Sequence, residues 1–280
     1  MSWNIRKIRP IRSDGKLKTR KRFTKTASCP TITLLDLDYS HSAHDGYVLT
    51  GQAGVAAYIG AWTSESTSNG LHGNLTSSDL PPGFSLFYSS SRHCWAIIVD
   101  DSQTFGSKTF NISGTDDNGC PITEKEYTID VYAEFTYTGP TDIIANDYSF
   151  FTIPITGITN PYVANELVSV KVSLTFPDLA RITMGVSSPD FAGTAVPFNV
   201  DELSGADLTN TIFYNKNITL YPSILTSSAP YTGTWNDDLD AQGFDFVLVG
   251  LNTIGDWSVI VVNDSVSTGS FLSATLLFKP

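Results

Sequence analysis

From Val168 to Phe176 the chain alternates without a break, with Val168, Val170, Val172, Leu174 and Phe176 on one set of positions and Ser169, Lys171, Ser173 and Thr175 on the other. Residues two apart share one face of an extended strand, whereas a helix would spread them around its circumference. A period of two sustained this long demands a strand with one face in a core. The neighbouring segments must then supply the rest of a sheet.

They do. Tyr127, Ile129, Val131, Ala133 and Phe135 repeat the alternation, and Thr31–Asp38 opens a strand-rich region. Cys94–Val99, Phe244–Leu251, Trp257–Val262 and Phe271–Phe278 are short runs dense in β-branched and aromatic residues. Between them stand turn signals at Asp45-Gly46, Asn69-Gly70, Pro81-Pro82-Gly83, Asn118-Gly119 and Thr268-Gly269, each resting on a positive or fixed φ. The sequence predicts an all-β protein. Its 280 residues suffice for two cores. Gly139-Pro140 interrupts strand periodicity within Tyr137–Asp147, so a boundary is expected near residue 140. The expected organisation is an extended arm over 1–28, one β-sandwich over 29–140 and a second over 141–280.

Two ordered sets of residues sharpen this. Leu80-Pro81-Pro82-Gly83-Phe84-Ser85-Leu86, then the Gly106–Gly114 strand and Asp117-Asn118-Gly119, resembles the immunoglobulin-like domains of bacterial and phage surface proteins. The second half holds Phe176-Pro177-Asp178-Leu179, Ser188-Pro189, Gly205-Ala206-Asp207-Leu208, Ala229-Pro230-Tyr231-Thr232-Gly233-Thr234, Gly255-Asp256-Trp257, Asp264 and Thr268-Gly269-Ser270-Phe271-Leu272. In that order they resemble the P domain that follows the catalytic domain of proprotein convertases and also occurs apart from it. The resemblance implies a jelly-roll β-sandwich with no catalytic residues and with Trp257 in or near the core, its indole N–H needing a partner.

Charge divides the chain unevenly. Residues 1–26 carry ten of its seventeen Lys and Arg (Arg6, Lys7, Arg9, Arg12, Lys16, Lys18, Arg20, Lys21, Arg22 and Lys25) and one of its twenty-eight Asp and Glu, Asp14. The arm is +9 and the body −20, so only the arm suits a polyanion or an acidic surface. Trp3, Ile5, Ile8, Ile11 and Leu17 give it apolar anchors that a purely solubilising tail would not need. The arm is expected to be disordered until paired and to act as an attachment device. Its Arg-rich character also fits a transit peptide, but Pro10 and Gly15 would break the amphipathic helix. There is no secretory apolar core behind the basic stretch and no apolar run near 18 residues, so a soluble chain without membrane insertion is expected. Cys29, Cys94 and Cys120 form no complete disulfide framework and no zinc spacing, and a reducing place of synthesis is the simplest reading.

No GxSxG elbow, HExxH helix, phosphate loop or dinucleotide fingerprint occurs, and no enzyme is expected. His41 and His44 with Asp36, Asp38 and Asp45 could ligate a metal, but read more simply as a solvated loop. No cofactor is expected, although Asp237, Asp238 and Asp240 beside Gly243 gather hard oxygen ligands. An EF-hand is excluded because Val249 stands where the bidentate Glu belongs, which leaves an irregular Ca²⁺ site open. Asp100-Asp101 and Asp116-Asp117 read as loop acids. Asn74, Asn111, Asn217 and Asn263 head Asn-x-Ser/Thr sequons that matter only in a eukaryotic secretory pathway. Trp62, Trp95, Tyr231 and Trp235 are conceivable sugar platforms, with core aromatics the commoner reading.

Combined, arm and modules lead to the expectation of a non-enzymatic virion structural protein of a tailed bacteriophage: capsid decoration, head fibre or tail-associated component. Its arm would bind capsid or other virion proteins, and the acidic sandwiches would contact neighbouring copies or host surface glycans. The alternative is a bacterial surface or secreted adhesion module that binds a glycan.

Overall fold

The computed structural model describes residues 29, 31–40, 44, 46–63, 73–92, 94–117, 119–158, 167–190, 194–198, 201–215, 221–236, 244 and 254–280. The described chain is all-β, with two single-turn 3-10 segments, and none of its helices is long and apolar enough to cross a membrane.

In the first half, β1 (Ile32–Asp38), β3 (Gly54–Thr63), β6 (Cys94–Val99) and β5 (Phe84–Ser89) pair antiparallel in that spatial order. Against them lie β4 (Gly73–Thr76), β7 (Gly106–Asp116) and β8 (Pro121–Ile143), with β2 (Tyr47–Leu49) running parallel to β8. A single parallel bridge, Ile32 opposite Ile122, joins the two layers. Between them is a core that includes Ile32, Leu34, Ile59, Ile97, Phe110, Ile112, Ile129 and Val131. Removing each large side chain from water contributes about 1.5–3 kcal/mol.

The second half is another sandwich. One layer is β14 (Tyr231–Asn236), β13 (Leu208–Tyr214), β10 (Leu167–Thr175), β16 (Gly269–Phe278) and the second half of β8, from Ala133. The other is β12 (Thr194–Phe198), β11 (Ile182–Ser187), β15 (Gly255–Asn263) and β9 (Tyr148–Ile155). Val168, Val170, Val172, Leu174 and Phe176 are all buried and Lys171 and Thr175 exposed, as the alternation requires. Trp257 lies in the core, 1% exposed. The strand-like run Phe244–Leu251 falls outside the described residues except for Phe244, which is buried.

The expected interruption at Gly139-Pro140 does not occur. β8 continues through it to Ile143 because the pair sits in a bulge: two β8 residues oppose Leu272 alone on β16. Pro140 therefore costs no ladder hydrogen bond. Gly139 is required there, since a Cβ would overlap the Phe271 carbonyl oxygen. One strand of 23 residues thus pairs with β7 and β2 in the first sandwich and with β16 in the second.

Two further contacts stiffen the junction, and a third braces the loops of the first sandwich beside it. Phe105, from the loop before β7, packs into the second core. Leu49, Val168 and Leu277 form a small cluster flanked by Tyr47, Tyr132 and Tyr214, in which the Tyr47 and Tyr132 rings stack at 4.2 Å. Gln103, buried, donates from Nε2 to the carbonyls of Leu49 and Gln52.

The cysteine reading is also corrected. Cys29 is disulfide-bonded to Cys120, 91 positions away, and Cys94 is free. Spacing alone could not show it, because the two meet only once β1 lies beside the start of β8.

Candidate functional site

The disulfide and the Ile32–Ile122 bridge fix the point where residues 1–28 join the described chain. That point is the start of β8, at the end of the first sandwich farthest from the second. The opposite end of β8, Ile143, marks the far tip of the second sandwich. The molecule has two poles, and the sequence features fall on them unequally.

The ten basic arm residues lie outside the described residues, as do Asp237, Asp238 and Asp240 of the candidate Ca²⁺ loop. His41, Asp45, His72, His93 and Asn217 do too, along with the Trp62 side chain. Among the described residues no group of three or more His, Cys, Asp or Glu could hold a metal ion. His44 stacks on Tyr47 at 4.9 Å and faces Gln52 Oε1 at 3.3 Å. Asp36 accepts a hydrogen bond from Lys125 Nζ at 2.7 Å, and that ammonium holds its carboxyl below the usual range. Asp100 accepts from Ser102 N and Oγ, which lowers its carboxyl likewise, and Asp116 accepts from Cys120 N. Asp79 is held low by the backbone N–H of Asn111, aided by Ser77 Oγ and Asn111 Nδ2. Burial raises the Tyr127 hydroxyl, which donates to Leu35 O at 2.6 Å, and the Asp36 charge adds to the shift. These arrangements build the fold.

The aromatic platforms fare poorly. Tyr231 is 2% exposed and belongs to the second core, which removes it as a sugar platform. Trp95 and Trp235 are half-buried with their indole N–H groups turned inward.

What the sequence did not single out is the tip. Of eight large hydrophobic side chains exposed among the described residues, four lie on the two turns at this end or on the start of β9: Ile144 (51%), Tyr148 (58%), Phe150 (56%) and Val266 (85%). Tyr148 and Phe150 stand on the outward face of β9, an edge strand of its sheet among the described residues, with their rings stacked at 6.4 Å. Across the ladder they oppose Val262 and Ile260 of β15, both half-buried. The outward face of β9 from Tyr148 to Pro154 carries no charge.

This corner is rigidly mounted. Asn263, 1% exposed, donates from Nδ2 to Ile144 O at 3.0 Å and to Ser267 O at 2.7 Å. Its Oδ1 accepts from Ser265 N at 3.0 Å and Ser265 Oγ at 2.9 Å. Asn146, at φ +54°, donates its N–H to Ser265 O, and Ser149 Oγ accepts from Ile144 N. The two turns are one hydrogen-bonded unit that presents apolar side chains to water. Buried and fully used, Asn263 cannot serve as the glycosylation site its sequon suggested.

Around the corner the charge is acidic. The segments 142–150, 175–182 and 262–270 hold Asp142, Asp147, Asp178 and Asp264 against Arg181 alone. Asp207 joins them at an open hollow of about 320 Å³ lined by Asp142, Thr175, Phe176, Pro177, Asp207, Thr268, Gly269 and Ser270. Asp207 Oδ1 is committed to the Phe176 N–H at 2.9 Å. Gly269 is required here, since a Cβ would strike Thr175 O.

Fold and surface define an all-β sandwich protein with two cores on one shared strand and an exposed apolar corner at one pole. No protein-family model and no curated protein matches the chain.

Proposed function

We propose that this protein is a non-enzymatic structural component of a tailed-bacteriophage virion, attached by its basic arm, with both sandwiches projecting from the attachment point. The observation that carries this reading is polarity. Cys29–Cys120 ties the root of the arm to the first residues of β8, and β8 then runs through both sandwiches to the opposite tip. At about 3.3 Å per residue its 23 residues reach roughly 75 Å. Pull on the arm is transmitted along one covalent strand hydrogen-bonded in both cores, a construction suited to a projecting spacer.

The strand order supports the first resemblance. β1-β3-β6-β5 facing β4-β7-β8 matches the ABED and CFG layers of an immunoglobulin sandwich. For the second half, the P-like jelly roll is supported by the five- and four-stranded layers around Trp257. Fold alone does not assign function, so location must decide. Mass spectrometry of sedimented particles, medium and soluble lysate should find peptides from the arm and the second sandwich together, stoichiometric in the particles. A chain found only in medium or on cell surfaces sinks the proposal.

The second reading is a surface or secreted adhesion module. The disulfide favours it, because such bonds persist in oxidising compartments. The same fractionation separates the two.

A further inference from the structure

We propose that the tip of the second sandwich is the docking site for residues 3–12 of a second copy of this chain, so that copies associate head to tail. The inference rests on reading the arm as an attachment device, and it names what the arm attaches to.

The chemistry of the tip selects the occupant. Ile144 and Val266 are aliphatic, and with Tyr148 and Phe150 they suit apolar side chains better than the flat faces of a sugar. The rim carries Asp142, Asp147, Asp178 and Asp264 against one arginine, so the partner must be basic as well as apolar. Residues 3–12 read Trp-Asn-Ile-Arg-Lys-Ile-Arg-Pro-Ile-Arg, with Ile5, Ile8 and Ile11 interleaved with Arg6, Lys7, Arg9 and Arg12. Elsewhere two copies meet under repulsion, since the body is −20.

Geometry selects a different copy. From Ile8 to Cys29 is 21 residues, which at full extension span on the order of 70 Å. The contour of β8 from its start to the tip is roughly 75 Å. An arm that follows β8 reaches its own tip only when it is almost fully extended, whereas a neighbour's tip carries no such restriction. Joining one pole to the opposite pole of the next copy is a heterologous contact, which grows as a ring or an open filament. The hydrogen-bonded turns around Asn263 hold the receiving side chains in place before binding, which lowers the ordering cost.

The test uses two full-length variants. Ile144→Ser with Val266→Ser alters only exposed side chains at the tip. Ile5→Ser, Ile8→Ser and Ile11→Ser alters the arm and keeps its charge. In sedimentation velocity the unaltered chain should form a concentration-dependent series that shrinks with added salt. Each variant alone should sediment as the 30.4 kDa monomer, its association weakened at least tenfold. Mixing the two restores one intact arm and one intact tip, and should give a dimer that grows no further. A monomeric unaltered chain overturns the inference, as do tip variants that still assemble or a mixture that stays monomeric. Loss with the tip variant but not the arm variant overturns the arm as occupant. Both variants entering particles at unaltered levels would end this inference and leave the virion reading intact. Absence of the chain from particles would end that reading without touching the solution result.

Discussion

Asn263 makes four hydrogen bonds from a site with almost no access to water. Asn263→Ala strands two carbonyls and the Ser265 amide, and should cost about 2–4 kcal/mol in denaturant unfolding. A change below about 0.5 kcal/mol would mean the turns do not depend on it. Acid should act on the first sandwich through Asp36, Asp79 and Asp100, all held low by their partners. A carboxylate depressed on folding stabilises fully above its unfolded value of about 3.9 and loses that contribution as pH falls through its folded value. Stability followed by denaturation midpoint should therefore be flat from neutral down to about pH 4 and fall below it. Asp79→Asn should lower the neutral plateau and shrink the acid loss, and an unchanged acid limb contradicts the assignment. Trp257 was legible from its motif. Asn263 was not, because Asn-Asp-Ser reads the same whether it accepts a glycan or ties two turns. Tyr148 and Phe150 were illegible for a related reason. In Tyr-Ser-Phe-Phe either register offers apolar residues to a core, and the fold buries Ser149 and Phe151.

At the scale of elements, period-two segments were the readable part, and β10 and the middle of β8 lie where their alternation put them. Gly139-Pro140 misled because proline ends strands that need its N–H, and a bulge removes that need. What the alternation could not show is that one strand serves two cores. The consequence is shared stability. Phe110→Ala, in the first core and fully buried, should cost about 3–5 kcal/mol. Hydrogen exchange should then speed up in β16 as well as in β7, because β16 hangs on the far end of β8. Exchange that changes only in the first sandwich would show that the halves unfold independently.

At the scale of the whole molecule, the charge division between arm and body was plain in the sequence, but its geometry was not. Only the pairing of Cys29 with Cys120 and the run of β8 reveal that the arm root and the apolar tip are opposite poles. The central claim is that the arm pole is engaged in an assembly while the sandwiches project. Trypsin tests it directly, since nine cleavage positions lie between Arg6 and Lys25, Arg9 being protected by Pro10. Cleavage there should be fast in the free chain and suppressed at least tenfold on purified particles, with the sandwiches accessible in both. Arms lost from particles as fast as from the free chain, with the sandwiches still attached, would contradict the account.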